Sequence, residues 1–120
     1  MTPFAAILQR AVVATPNAIG GAFADADGEM VASYATIDAH EWAVLTAHYG
    51  VVMGHLTAAF GTWHFGGPEY FIAQHRHLQI VVCAVDAGYF MLMALREPAH
   101  LGFALQQLRA ASVELKREMV

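Results

Sequence analysis

The chain has 120 residues, of which 58% are apolar and 13% are charged, and its formal net charge is −4. This length predicts one domain, residues 1–120, with a core that needs no disulfide or metal. Six basic residues are too few to predict a surface for nucleic acid. Because charged residues usually make up about 25% of a soluble domain, we expect some apolar surface to be buried between subunits.

The N-terminal residues predict a helix. Thr2 can cap it, Pro3 suits its first turn, and the apolar spacing continues to about Ala14. No basic region precedes an apolar one here, so we expect no signal peptide and a cytoplasmic protein.

A turn signal follows at Asp25-Ala26-Asp27-Gly28, between the short apolar segments 18–24 and 30–34. An Asp-Gly pair between such segments predicts a β-hairpin, because glycine accepts positive φ at little cost. The same acidic residues resemble part of a calcium loop. That alternative is disfavoured, because the Gly at position six and the Glu at position twelve of an EF-hand are missing.

Residues 42–63 contain no charged residue, no proline and no glycine pair, which predicts one long helix. A helical projection separates its side chains by size. We expect the bulky side to pack on the chain's own core. It comprises Trp42, Leu45, Tyr49, Val52, Leu56, Phe60 and Trp63. The small-residue side comprises Ala47, Gly50, Val51, Gly54, Ala58 and Gly61. We expect the small-residue side to contact the same helix of a second copy, with His48, His55 and Thr62 along its border, facing a partner.

A membrane span is the alternative for this helix, since it is long enough to cross a bilayer and contains a GxxxG spacing at Gly50 and Gly54. His48, His55 and several threonines disfavour insertion, and no Lys/Arg cluster flanks the helix to set its orientation.

The second half of the chain predicts three strands and a helix. Gly66-Gly67-Pro68 ends the long helix, and the strands fall at about residues 69–74, 78–85 and 89–95. Cys83 lies in an apolar strand, where we expect a buried, inert thiol. Pro98 suits the first turn of a final amphipathic helix. Together these elements predict an α/β domain of the α+β type, with a five-stranded antiparallel sheet, the long helix on one face and the terminal helices on the other.

Two segments resemble the Roadblock (dynein light-chain) family, in its branch of small bacterial regulators similar to MglB. Residues 18–31 (AIGGAFADADGEMV) resemble the family's first hairpin, and residues 101–111 (LGFALQQLRAA) resemble its final helix. The order of elements also agrees over essentially the whole chain. The resemblance implies a non-enzymatic dimer with its second helices side by side and the two sheets joined. It also implies a scaffold or a regulator of a small Ras-like GTPase that supplies its own catalytic groups.

No residue pattern in the sequence strongly predicts a catalytic site or a metal site. Seven histidines invite a metal site, and His75 with His77 is the better pair, yet neither this pair nor His48 with His55 has further ligands at recognisable spacing. Ser33 and Ser112 lie in no nucleophile motif. Arg10, Arg76 and Arg96 are more simply surface charges than arginine fingers. We therefore expect that the protein is not an enzyme and that it binds no metal ion and no cofactor.

The sequence thus favours a homodimer, or a pair with a related Roadblock subunit, that binds a Ras-like GTPase or organises a complex. A profilin-like sensor that holds a small ligand is the alternative. A large apolar cavity lined by Tyr49, Phe60 and Trp63 would favour that sensor.

Overall fold

The computed structural model describes residues 2–61 and 64–119. The elements, in chain order, are α1 (Pro3–Ala14), β1 (Ala18–Ala24), β2 (Met30–Ala35), α2 (Ala39–Phe60), β3 (Tyr70–Gln74), β4 (Gln79–Ala84), β5 (Phe90–Leu95) and α3 (Leu101–Glu118). All the predicted helices and strands are confirmed, most of them within one or two residues. Two of the residues predicted for the long helix or its border, Thr62 and Trp63, lie outside the described residues.

The five strands form one antiparallel sheet in the order β2-β1-β5-β4-β3. Strand β5 is fully buried and lies at the centre, because its segment is apolar on both faces. Strands β2 and β3 are the edges. The predicted antiparallel sheet is confirmed. Strands β1 and β2 form one hairpin, and strands β4 and β5 form another.

The sheet has a core on each face. One core packs α1 and α3 against alternate strand residues such as Phe23, Val81 and Met93. The other packs α2 against the opposite residues, such as Val82 and Leu92. The predicted layers are therefore confirmed: the long helix covers one face and the terminal helices cover the other.

An acidic residue stabilises the turn between β1 and β2. One carboxylate oxygen of Asp25 accepts hydrogen bonds from the backbone N–H groups of Asp27 and Glu29, at 2.9 and 3.0 Å. Gly28 has φ of 82°, as the hairpin prediction requires. The carboxylate thus holds the hairpin turn together.

Helix α2 begins earlier than predicted, at Ala39, because Asp38 caps it. The Asp38 carboxylate accepts a hydrogen bond from the backbone N–H of Glu41 at 3.0 Å. Three residues into the helix, Trp42 is 1% exposed, and its indole N–H donates to the carbonyl of Gly21 at 3.2 Å. This bond and the burial of the ring fix the start of α2 over β1.

The side of α2 that faces the sheet differs from the predicted bulky side. The buried residues are Trp42, Thr46, Tyr49, Gly50 and Met53. The prediction was wrong for Val52 and Phe60, which are 40% and 39% exposed. The helix is rotated so that a glycine is buried against the rest of the domain, whereas Val52 is exposed.

That glycine is Gly50, and its close contact lies within the chain. A Cβ atom placed on Gly50 would lie 2.5 Å from the Cα of Gly28 in the β1–β2 turn. Gly50 is therefore buried against the chain's own hairpin, and its predicted contact with a second copy stays a prediction. At Gly54, one helical turn further, an added Cβ would meet no atom of the described residues within 4 Å outside the backbone of its own helix.

We predict opposite effects for Gly50→Ala and Gly54→Ala. Alanine at position 50 must displace backbone, which should lower the free energy of unfolding by about 1–3 kcal/mol. Alanine at position 54 should raise it by up to about 1 kcal/mol, because alanine favours helix. Urea unfolding followed by circular dichroism measures both, and equal changes in the two variants would contradict the Gly28–Gly50 contact.

Candidate functional site

Helix α2 leaves much of its apolar surface uncovered. Only 22% of its most apolar window is buried within the domain, although the helix is long and apolar enough to cross a membrane by length and composition. Val44, Val51 and Val52 are 41%, 57% and 40% exposed. Because Trp42, Tyr49 and Met53 pack against the sheet, α2 is a core helix on one side and an open apolar surface on the other.

A groove runs beside α2, with a volume of about 1090 Å³. The helix packs mainly on β1 and β2, whereas β3 is the opposite edge of the sheet. The groove therefore occupies the sheet surface that α2 does not cover. Its lining residues are His40, Glu41, Val44, Leu45, His48, Tyr49, Val52, Phe71, Ala73, His75, Arg76, His77 and Leu78.

Tyr49 connects α2 to the far wall of this groove. Its hydroxyl is hydrogen-bonded to Nε2 of His75, in the turn between β3 and β4. Its ring stacks on Phe71 with centroids 6.2 Å apart and meets the edge of the His75 ring at 6.1 Å. Burial raises the pKa of the Tyr49 hydroxyl above its ordinary value. The hydroxyl is therefore neutral at physiological pH and can donate its proton to the imidazole.

Polar side chains rim the apolar floor. His40, Glu41 and His48 come from α2, while His75, Arg76 and His77 come from the β3–β4 turn. Sequence reasoning identified His48 as a border residue and His75 with His77 as a pair, but it did not bring the two groups together. The packing of α2 on the sheet brings the two groups together in one groove. Residue spacing along the chain does not predict that packing.

Strand β3 forms one border of the groove. Within residues 2–61 and 64–119 it pairs with β4 alone, so its other backbone edge is open there. Its sequence, YFIAQ, has no charge and no proline to discourage pairing. Tyr70 and Ile72 are 41% and 43% exposed, and the guanidinium of Arg109 lies 5.3 Å from the centroid of the Tyr70 ring. An uncharged, partly exposed edge of this kind is suited to pairing with another strand.

The predicted interface residues other than Gly50 lie on the outer surface of α2. Ala47, Val51, Gly54, Ala58 and Gly61 are exposed. Several of them, with the border residue His55, line a separate hollow beside Ala26 and Asp27. The border residue His48 lies instead in the groove. The small-residue side and the groove are thus two distinct surfaces of one helix.

Metal-binding and nucleophilic groups do not form a cluster in the part of the chain that the structure describes. Within residues 2–61 and 64–119, no group of three or more His, Cys, Asp or Glu side chains is arranged to hold a metal ion. Cys83 is buried, as predicted. Burial raises the pKa of its thiol, an effect that the nearby Arg109 and Lys116 oppose, so we expect a protonated sulfur with little nucleophilicity.

Comparison with known proteins identifies the fold. No protein-family model matches the sequence, and no curated protein is significantly similar to it. Among solved structures, a Roadblock/LC7 domain from Streptomyces avermitilis superimposes with a TM-score of 0.87 at 9% identity, covering 96% of each chain. MglB of Myxococcus xanthus also gives 0.87, at 13% identity, over 99% of this chain and 96% of that one.

The chain has the Roadblock/LC7 fold. The predicted Roadblock-type, MglB-like architecture is therefore confirmed. Profilin IA of Acanthamoeba castellanii is a more distant match, with a TM-score of 0.65 at 10% identity over 98% of this chain and 99% of that one. The groove of this Roadblock/LC7 fold lies on the same face of the sheet as α2, beside the helix and next to edge strand β3.

We predict that the Tyr49–His75 hydrogen bond stabilises this Roadblock/LC7 fold. A double-mutant cycle with Tyr49→Phe and His75→Ala should give a coupling free energy of about 0.5–1.5 kcal/mol in urea unfolding. Tyr49→Phe keeps the ring, so this coupling isolates the polar contact. The matched cycle, Tyr49→Phe with His77→Ala, should give a coupling close to zero. Similar coupling in both cycles would mean that the hydrogen bond contributes nothing specific.

Proposed function

We propose that this chain is a non-enzymatic regulatory or scaffold protein of the cytoplasm that forms a dimer and binds a small Ras-like GTPase. The dimer is a homodimer or a pair with a related Roadblock subunit. The observation that carries the proposal is the apolar groove beside α2 where it opens onto the free edge of β3.

Two copies can cover both features with one two-fold axis. If β3 of each copy pairs antiparallel with β3 of the other, the neighbouring backbones lie about 4.8 Å apart and the two sheets become one. The two α2 helices then lie side by side over the joined sheet. The exposed side chains of Val44 and Val52 line the groove, so each helix can bury its own exposed wall against the other. This isologous arrangement is what a two-fold dimer requires.

The low charge of the chain supports the same arrangement. Only 13% of its residues are charged, and the exposed valines of α2 would otherwise remain in water. At about 25 cal/mol per Å² of apolar surface removed from water, covering this helix is favourable. Against a lipid surface, by contrast, the same valines would bring the groove's Glu41 and Arg76 close to the hydrocarbon.

The small-residue side of α2 is a second proposed contact. Ala47, Val51, Gly54 and Ala58 are exposed, and the open space at Gly54 would let another backbone approach. This side is proposed either for a second copy or for the GTPase partner, with His55 and Thr62 at its border. In a dimer closed through the groove, it faces outward and remains available.

GTPase regulation is proposed from the resemblance to the Roadblock family and from the shared fold with MglB. Regulators of this kind that contribute no catalytic group need only a docking surface. The paired α2 helices would supply a broad apolar surface with few charges. No residue of the chain is assigned a catalytic role in GTP hydrolysis.

A profilin-like ligand sensor is the second candidate, because the groove is as large as many ligand sites. Tyr49 lines it, as this alternative expects, whereas Phe60 does not; Trp63 lies outside the described residues. Since a ligand and a second copy would compete for the same groove, the test of dimerisation also separates these two functions.

We predict that Val52→Glu yields monomers. A carboxylate at position 52 would add a negative charge that the groove does not offset, because the charge of its guanidinium, Arg76, is already cancelled by Glu41. Closing the groove would desolvate that charge, so the dissociation constant should rise at least about hundredfold, or about 2.7 kcal/mol. Analytical ultracentrifugation should show twice the chain mass of 13.0 kDa for the wild type and for Val113→Glu. The latter variant places the same charge on α3, at a position 50% exposed.

Gly54→Leu decides between the two sides of α2. The groove contact predicts a dimer of unchanged affinity for this variant, because Gly54 lies outside the groove lining. A monomeric Gly54→Leu with a dimeric Val52→Glu would instead move the contact to the small-residue side. A monomeric wild type at all concentrations would contradict the homodimer and leave only a pair with a related subunit.

We predict saturable binding to a Ras-like GTPase encoded near this chain. Biolayer interferometry with the GTPase loaded with GDP, or with a non-hydrolysable GTP analogue, should detect binding in at least one nucleotide state. The chain alone should release no phosphate from GTP. Absence of binding in both states would contradict the GTPase proposal and would leave self-association as a separate result.

A further inference from the structure

Histidines are concentrated in the groove. Of the seven in the chain, four line it: His40, His48, His75 and His77. They come from two elements that are far apart in sequence, and they surround a floor formed by Phe71, Ala73 and Leu78. Histidine is the one side chain whose ordinary titration falls between about pH 5 and 8. Protonation of these side chains would add positive charge to the groove.

The other ionisable groups of the groove do not offset that change. Helix α2 contributes one carboxylate, Glu41, and the neutral hydroxyl of Tyr49; the β3–β4 turn contributes one guanidinium, Arg76. With neutral imidazoles the two charged groups cancel. With four protonated imidazoles the groove carries a net charge of about +4. A second copy of the chain brings the same set, so the excess of positive charge doubles.

We propose that proton uptake by the groove histidines controls self-association, so that the dimer forms near pH 7.5 and dissociates near pH 5.5. This inference rests on the proposed dimerisation through the groove. Closing the groove removes imidazoles from water, which disfavours their charged form. Dissociation therefore takes up protons, and the dissociation constant rises as the pH falls. The two Glu41 carboxylates of the dimer carry a charge of −2, against a charge of +8 on eight imidazolium groups.

Tyr49 contacts one of the four groove histidines, His75, without bringing a charge to it. Its hydroxyl is bonded to His75 and stays uncharged, so it supplies no anion to stabilise imidazolium. His40, His48 and His77 are exposed in the single chain and can be replaced without opening the core. They are the three positions at which the control of association can be removed while the domain stays folded.

The test is sedimentation equilibrium of the full chain at pH 7.5, 6.5 and 5.5, at constant ionic strength with EDTA present to exclude bridging metal ions. For the wild type we expect the dissociation constant to rise at least about hundredfold from pH 7.5 to pH 5.5, which corresponds by linkage to about one proton taken up per dimer. Far-ultraviolet circular dichroism at each pH should be unchanged, because the fold of the single chain does not depend on the groove being closed.

Two triple variants separate the groove from the rest of the chain. His40→Gln/His48→Gln/His77→Gln should retain the dimer at pH 5.5, with a change in dissociation constant of less than about tenfold over the range. The matched control, His55→Gln/His64→Gln/His100→Gln, removes the three histidines outside the groove lining and should follow the wild type.

The outcomes distinguish this inference from the proposed function. A dimer with the same affinity at all three pH values would overturn histidine control and leave dimerisation standing. Loss of the pH effect in the control triple, but not in the groove triple, would overturn the groove as its source. A wild type that is monomeric at pH 7.5 would overturn this inference together with the proposed homodimer.

Discussion

The seating of α2 on one half of the sheet is the constraint from which the other features of this domain follow. Two contacts fix it: the Trp42 indole donates to the carbonyl of Gly21 over β1, and Gly50 meets Gly28 without room for a side chain. The first contact positions the first turn of the helix over β1, and the second sets its rotation and its height above the hairpin. Both use backbone atoms, which cannot move as a flexible side chain can.

With α2 fixed in this way, the β3 side of the sheet is left without a covering helix. Phe71 and Ala73 of β3 form a floor there, Tyr49 connects the helix to the far wall, and the polar ends of four histidines surround the space. On the opposite face, α1 and α3 together cover the sheet. The asymmetry between the faces is why one surface, rather than the whole domain, is proposed to bind other chains.

The open groove combines two kinds of unmet interaction. The exposed valines of α2 favour removal from water, and the outer edge of β3 offers backbone hydrogen bonds. A second copy can satisfy both at once, whereas a small ligand would fill the groove and leave the strand edge unpaired. Dimer formation through the groove would also depend on the protonation of the histidines, since the same contact that buries apolar surface removes imidazoles from water. Affinity and pH response would then arise from one set of contacts.

The sequence by itself determined the order, type and approximate bounds of the elements, because these depend on local periodicity and on turn residues such as the Asp-Gly pair at Asp27 and Gly28. It also identified α2 as a helix with two apolar sides. Only the tertiary structure decided how that helix is rotated: Gly50 faces the chain's own hairpin, and Val52 faces the groove. It likewise brought His40 and His48 to the same groove as His75 and His77. Such juxtapositions depend on packing between elements distant in sequence, where a rotation of part of a turn exchanges a buried side chain for an exposed one.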